Sequence, residues 1–260
     1  MKSRLDQELV RLKLVASRSQ AESYIRLGKV SVDGRVITKS GFFVLTNSKI
    51  ELDQDEQFVS RAALKLKSVA DKFALDFSGK VVLDVGSSTG GFTDFALRRG
   101  AKKVIAVDVG TDQLHPKLRA DSSVELYEKT DIRDVRSDLR GGAIRGTPIQ
   151  VGPDKVIIDQ PQIILIDVSF ISLREILPYV AQYLSDDQTQ IVAMVKPQFE
   201  TGARSKNAGV IKNDTERRKI LKDFETWAKK LFIVVNKADS EVAGAKGNIE
   251  RFYLLRLMAV

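Results

Sequence analysis

The sequence predicts an α/β protein, a mostly parallel sheet covered by helices and preceded by a small α+β unit. Three observations carry that prediction. From Lys80 onward, short continuous apolar runs alternate with helical stretches, the texture of strands buried on both faces. Several of these runs end in a charged residue, as a ligand site along one edge of such a sheet requires. The first fifth of the chain differs in charge: residues 1–49 hold six more basic than acidic residues, and Glu51, Asp53, Asp55 and Glu56 then reverse the sign. Two unequal domains fit a length of 260 residues. We expect a small unit over 1–50, a linker over 51–60 and a larger domain over 61–260.

Composition excludes several chemistries. With 43% hydrophobic and 29% charged residues the chain has globular rather than disordered composition. It has no Cys, which removes disulfides, thiolate metal sites and cysteine nucleophiles. His115 stands alone, so clustered zinc ligands cannot be built, and no metal is expected. No signal-like apolar stretch follows Met1, and the longest apolar region, 163–171, is interrupted by Asp167 and too short to span a bilayer. The expectation is a soluble cytoplasmic protein without membrane insertion. A net charge of +8 favours nucleic acid or an anionic membrane surface as partner.

In the first unit, Leu5, Leu9, Val10 and Leu12 have mixed helical spacing. Ser17 can cap a second helix over 18–27, with Ala21, Ile25 and Leu27 on its apolar face and Gly28 at its end. Residues 30–36 read as strand, Asp33-Gly34 turn, strand. So short a unit has a small core and should lean on its neighbour. The order Arg4-Leu5-Asp6, Ser17-Arg18, Ala21, Ile25, Gly28, Val30, Val32 and Gly34 resembles the small RNA-binding domain first recognised in a ribosomal small-subunit protein and also found in pseudouridine synthases. The resemblance implies binding of structured RNA, with Arg4, Arg18, Lys29 and Arg35 as candidate phosphate contacts. The competing reading of each is a solvated surface charge.

In the larger domain, residues 80–85, 103–108, 124–127, 163–167 and 191–195 read as strands, and 92–99, 173–183 and 214–229 as helices. Residues 231–235 and 251–257 close the sheet. Asp84, Asp108, Asp167 and Lys196 lie at or near strand ends. The turn after the first strand, Asp84-Val85-Gly86-Ser87-Ser88-Thr89-Gly90-Gly91-Phe92-Thr93, lets a ligand approach the backbone and presents free N–H groups at a helix start. Asp108, at the end of the next strand, can accept both ribose hydroxyls of an adenosine.

The run D-V-G-S-S-T-G-G-F-T-D resembles the S-adenosylmethionine loop of FtsJ-like RNA 2′-O-methyltransferases. With Ser60-Arg61-Ala62-Ala63-Leu64-Lys65-Leu66, Asp167-Val168-Ser169-Phe170-Ile171-Ser172-Leu173, Val195-Lys196-Pro197-Gln198-Phe199-Glu200 and Gly247-Asn248-Ile249-Glu250, it resembles the TlyA/haemolysin A family across the chain. The resemblance implies a Rossmann-like S-adenosylmethionine-dependent methyltransferase acting on cytidine ribose in ribosomal RNA, free or within ribosomal subunits. It implies a catalytic set of Lys65, Asp167, Lys196 and Glu250, and donor contacts from Asp84, Gly86, Ser87, Gly90, Gly91, Phe92, Asp108 and Asp131. A ribose 2′-hydroxyl is a poor nucleophile until its proton leaves. A lysine amine can take that proton once its neutral form is favoured by a nearby cation or by burial. Lys196 is assigned as this base and Lys65 as the group orienting the oxygen, although the sequence alone does not separate the two.

Other readings compete. Plain packing or capping roles are the alternatives for Asp84 and Asp131. His115 reads as a surface or helix-end residue and Trp227 as core. Haemolysis, a label the family carries, would need membrane insertion; a non-catalytic RNA-binding protein and a base or small-molecule methyltransferase are further rivals. The missing Cys argues against pyrimidine carbon-5 methylation, and the absence of prolines after Asp167 argues against amino-group methylation. The family's connection before residue 163 is lengthened here over 138–162, where Val156-Ile157-Ile158 could add a strand. Residues 199–212 are expected to form a lid over the reaction centre, with Arg204 and Lys206 meeting RNA phosphates.

Overall fold

The computed structural model describes residues 2–15, 17–26, 28–39, 41–45, 47–53, 58–138, 155–201, 209–211, 213–244 and 247–258. The first unit runs β1 (Lys2–Arg4), α1 (Leu5–Arg11), α2 (Arg18–Arg26), β2 (Val30–Val32), β3 (Arg35–Val36), β4 (Phe43–Leu45) and β5 (Ile50–Leu52). The Ser17 hydroxyl accepts the Gln20 amide at 3.2 Å, so it caps α2 as expected. Asp33 and Gly34 both take positive φ, the geometry of a tight hairpin turn between β2 and β3. β5 pairs with β2, so this unit's sheet continues past residue 50.

The larger domain runs α3 (Arg61–Ala70), β6 (Val81–Val85), α4 (Gly91–Arg98), β7 (Lys103–Val107), α5 (Pro116–Arg119), β8 (Val124–Tyr127), β9 (Val135–Asp138), β10 (Val156–Asp159), β11 (Ile163–Ile166), α6 (Leu173–Tyr183), β12 (Gln190–Val195), α7 (Asp214–Ala228), β13 (Phe232–Asp239) and β14 (Arg251–Leu257). Seven strands form one sheet in the order β13-β14-β12-β11-β6-β7-β8. β12, β11, β6, β7 and β8 are parallel, and β14 lies antiparallel between β12 and β13. The order reverses between β6 and β11, the switch point where open α/β sheets hold ligands. Val156–Asp159 is indeed a strand, but it pairs in parallel with β9 in a separate ribbon and does not join the main sheet.

Leu5, Leu9, Ile25 and Val30 of the first unit share one buried cluster with Phe58, Leu64, Phe73, Phe95 and Phe252 of the larger domain. The small unit therefore does lean on its neighbour, since its own few apolar side chains cannot enclose a core. His115 caps α5, its Nδ1 accepting the Lys117 amide. Trp227 packs on Phe224 at the margin of the second apolar cluster.

Candidate active site at the carboxyl edge of the sheet

Strand register brings the site together. Val85 lies opposite both Val107 and Ile166, and Ile166 lies opposite Ala193. The chain therefore leaves β6, β7, β11 and β12 at one edge, carrying Gly86, Asp108, Asp167 and Lys196 there. β14 runs the other way, and its first residue, Arg251, is opposite Val195. Glu250, just before it, reaches the same edge from the far end of the sequence.

Each lysine there has its own carboxylate. Lys196 Nζ lies 2.6 Å from Asp167 Oδ1 and donates to Ser169 Oγ at 2.7 Å. Lys65 Nζ, from α3, lies 2.5 Å from Glu250 Oε2. Lys65, Lys196 and Glu250 are only 8%, 9% and 3% exposed. A lone charge so buried would be costly, so each pair is a mutual condition for the other's burial. Around Glu250, Arg217 Nε donates to the Ile249 carbonyl at 3.0 Å, and buried Asn248 accepts the Ile211 amide at 2.9 Å.

A tether links the two loops that carry Asp167 and Lys196. Glu200, buried, accepts the Ser172 hydroxyl at 2.7 Å and the Leu173 amide at 2.8 Å, at the start of α6. Burial pushes its carboxyl up, against the pull of those donors and Arg174. Between the tether and the ion pair sits Phe170, at positive φ and 89% exposed, with its ring 5.3 Å from that of Phe199. A bulky residue in the left-handed region is strained, and such strain persists where surrounding contacts fix it. Ser169, Phe170, Glu200 and Asn248 stand inside the sequence motifs, and their contacts emerge only in the fold. The available signal was their place among charged motif residues.

At the glycine-rich turn, Gly86 has φ +82°, and a side chain there would meet the Asp167 carbonyl oxygen at 2.8 Å, so β6 and β11 can close on each other only with glycine at this position. Gly90 begins α4 in the left-handed region, and Gly91 lies against Ser60 and Ala63 at the start of α3. Asp108 accepts the Ser88 amide on one oxygen and the Gly110 amide on the other, both at 2.7 Å. Asp84 is buried; its Oδ2 accepts the Thr93 hydroxyl at 2.6 Å, and burial pushes the carboxyl up to about 7. Asp84 Oδ1 and the Ser87 hydroxyl are buried without a hydrogen bond among the described residues.

One side chain departs from its expected role, and a second makes the cap that was its alternative reading. The Phe92 ring is core, 6.1 Å from Phe252, because this first turn of α4 faces inward; its backbone alone is left for a ligand. Asp131 caps the short 3-10 turn Ile132–Asp134, and Arg133 takes up both its oxygens, holding its carboxyl below the usual range.

In the first unit, Arg4 and Arg18 both donate to Asp6, which is fully buried. Burial alone would raise that carboxyl, but the two guanidiniums outweigh it and hold it low. Lys29 pairs with Asp53, and Arg35 is exposed at the hairpin. Arg204 and Lys206 lie outside the described residues, as does the middle of the expected lid, 202–208, while 199–201 and 209–211 are described. Among the described residues no helix is long and apolar enough to cross a membrane.

Sheet order, switch-point turn and lysine–carboxylate edge together place the larger domain among the Rossmann-like methyltransferases. Residues 58–257 match the FtsJ-like methyltransferase family, and residues 3–50 match the S4 domain. Hemolysin A of Brachyspira hyodysenteriae is 37% identical over 95% of this chain and 97% of its own length. The 16S/23S rRNA (cytidine-2′-O)-methyltransferase TlyA of Mycobacterium tuberculosis is 34% identical over 98% of this chain and 90% of its own. A solved structure from Streptococcus thermophilus, named as a candidate hemolysin, superposes with a TM-score of 0.65 at 34% identity, covering 99% of this chain and 89% of that one. The chain belongs to the TlyA/haemolysin A family of FtsJ-like methyltransferases.

Proposed function

We propose that the protein transfers a methyl group from S-adenosylmethionine to a ribose 2′-oxygen of ribosomal RNA, on a cytidine as the name of the Mycobacterium tuberculosis relative suggests. The observation that carries this reading is the convergence of the Lys196–Asp167 and Lys65–Glu250 pairs beside the glycine-rich turn. The turn suits such a donor. Each Asp108 oxygen, already holding one amide, keeps capacity for a ribose hydroxyl, and the unused Asp84 Oδ1 and Ser87 hydroxyl offer further polar contacts. When bound, the donor supplies an electrophilic methyl on its sulfonium.

The chain's own residues do the rest. Asp167 and Ser169 hold the Lys196 amine in one place, and in its neutral form this amine takes the 2′-hydroxyl proton as the oxygen attacks. Glu250 holds Lys65, which orients that oxygen and meets its developing charge. Phe170, exposed beside Lys196, offers a ring face to the target base. Arg4, Arg18, Lys29 and Arg35 contribute phosphate contacts from the S4 domain, and Arg204 and Lys206 belong to the same proposal.

The test incubates purified protein with labelled donor and isolated ribosomal subunits, then digests the RNA with alkali. A 2′-O-methyl blocks cleavage of the adjacent phosphodiester, so label should emerge in alkali-resistant dinucleotides. Label released in mononucleotides would assign the methyl to a base, and label absent from both subunits would remove the reading.

A further inference from the structure

We infer that the outer face of the β1–β4 ribbon is a stacking site for an unpaired RNA nucleobase, with Phe43 as the platform and Lys2 and Arg4 meeting the flanking phosphates. The inference rests on the RNA-binding reading above and adds a subsite to it. Antiparallel register sets Arg4 opposite Phe43 and Lys2 opposite Leu45, and directly opposed residues project from the same face. Ser3 and Val44, between them, face the other way, and Val44 is buried in the core. Phe43 is 61% and Leu45 50% exposed. One surface thus carries an aromatic ring, an aliphatic side chain and two cations.

Charge decides the occupant. Arg4, opposite Phe43 in the ribbon, is held by the buried Asp6 carboxylate, so its guanidinium is fixed on the residue directly across from the ring. An apolar protein surface would have to strip water from these cations without offering them an anion. A nucleotide brings a flat ring for Phe43 and phosphates for the cations, and stacking of this kind accepts any base. Duplex RNA hides its base faces, so the site selects unpaired nucleotides such as those of a loop.

The experiment uses the full chain and two RNA probes of equal length and charge, a hairpin with an unpaired loop and a blunt duplex. Phe43→Ala should weaken hairpin binding about tenfold while leaving duplex affinity and salt dependence unchanged. Phe43→Trp should keep the hairpin affinity, and its added emission, read against the constant signal of Trp227, should be quenched by the hairpin alone. Unchanged hairpin affinity in Phe43→Ala, or equal losses on both probes, overturns the inference. So does a concentration-dependent dimer that Phe43→Ala abolishes, which would give the face to a second copy. If the unaltered protein binds neither probe, the RNA-binding reading itself fails; if it binds both and Phe43→Ala changes nothing, only this subsite does.

Discussion

The cations at the sheet edge and the cations of the S4 domain live in opposite environments. Lys65 and Lys196 are buried, each against a single carboxylate, and their setting depends on tenths of an ångström. Arg4, Arg18 and Arg35 keep much of their surface in water, and their setting depends on the summed field of a segment with six excess positive charges. The difference teaches which measurement reads which region. A buried pair is all-or-none, because removing one partner strands the other. A surface cation is one contributor among several and is screened by salt.

The sharpest break between the regions lies in the chemistry. Lys196→Ala should cut methyl transfer by roughly 10²–10⁴-fold, the range of a lost general base, and leave donor binding near its original value. Asp108→Ala should do the reverse, weakening donor binding by about 1.5–3 kcal/mol, the cost of losing a charged acceptor. Calorimetry and a labelled-methyl assay on the same preparations separate the two; full transfer by Lys196→Ala sinks the mechanism.

The Glu200 tether sharpens the picture of the buried region. Glu200→Ala frees the loop bearing Lys196 from the loop bearing Asp167 and Phe170, and we expect kcat to fall about tenfold or more, as misplacement of a catalytic group does, with donor affinity kept. Glu200→Gln, which retains an acceptor for the Leu173 amide, should recover most of kcat. Steady-state kinetics of the pair decide it, and equal loss in both variants would point to general misfolding instead.

Acidity offers a third handle. Burial holds the Asp84 carboxyl up at about 7, above the ordinary aspartate value of about 3.9. The unfolded chain therefore releases this proton first. The corresponding stability is intact below about pH 4, falls as pH rises toward 7 and levels off above it. Asp84→Asn should gain on the original protein across that window by up to about 1.4 kcal/mol per pH unit. Denaturant melts from pH 4 to 8 give the comparison; parallel curves would contradict it.

The smallest effect belongs to the surface. Arg18→Ala should weaken RNA binding several-fold and lower the salt slope by about one, as loss of one phosphate contact does. An unchanged slope would leave Arg18 with the one role of pairing with the buried Asp6 carboxylate. Such substitutions are better probes than deletion of the S4 domain, because Leu5, Leu9 and Ile25 share a core with Phe58 and Phe95.

Much of this molecule could be read along the chain. Parallel strands buried on both faces must be continuous apolar runs, so 81–85, 103–107 and 163–166 announced themselves, and the charged residues at their ends followed. Asp33-Gly34 and Ser17 were readable because turn and cap chemistry is local. The α3 helix, the partner strand β9 that pairs with Val156–Asp159 and the core placement of Phe92 were not, because their surroundings come from elsewhere in the chain. Asp131 shows how local chemistry stays readable: it caps the turn that follows it, as one of its two readings had it, and its pairing with Arg133 involves a residue two positions away.

By itself, then, the sequence determined the classes of element, the two-part division of charge and the residue types available at the sheet edge. All of these follow from interactions within a few residues. Only the tertiary structure decided that Lys65 belongs to Glu250 and Lys196 to Asp167, that Glu200 locks two loops and that Phe43 shares a face with Arg4. Those partners are separated by tens to nearly two hundred positions in the chain. Strand order and register choose them, and both are set by how the whole sheet buries its apolar faces.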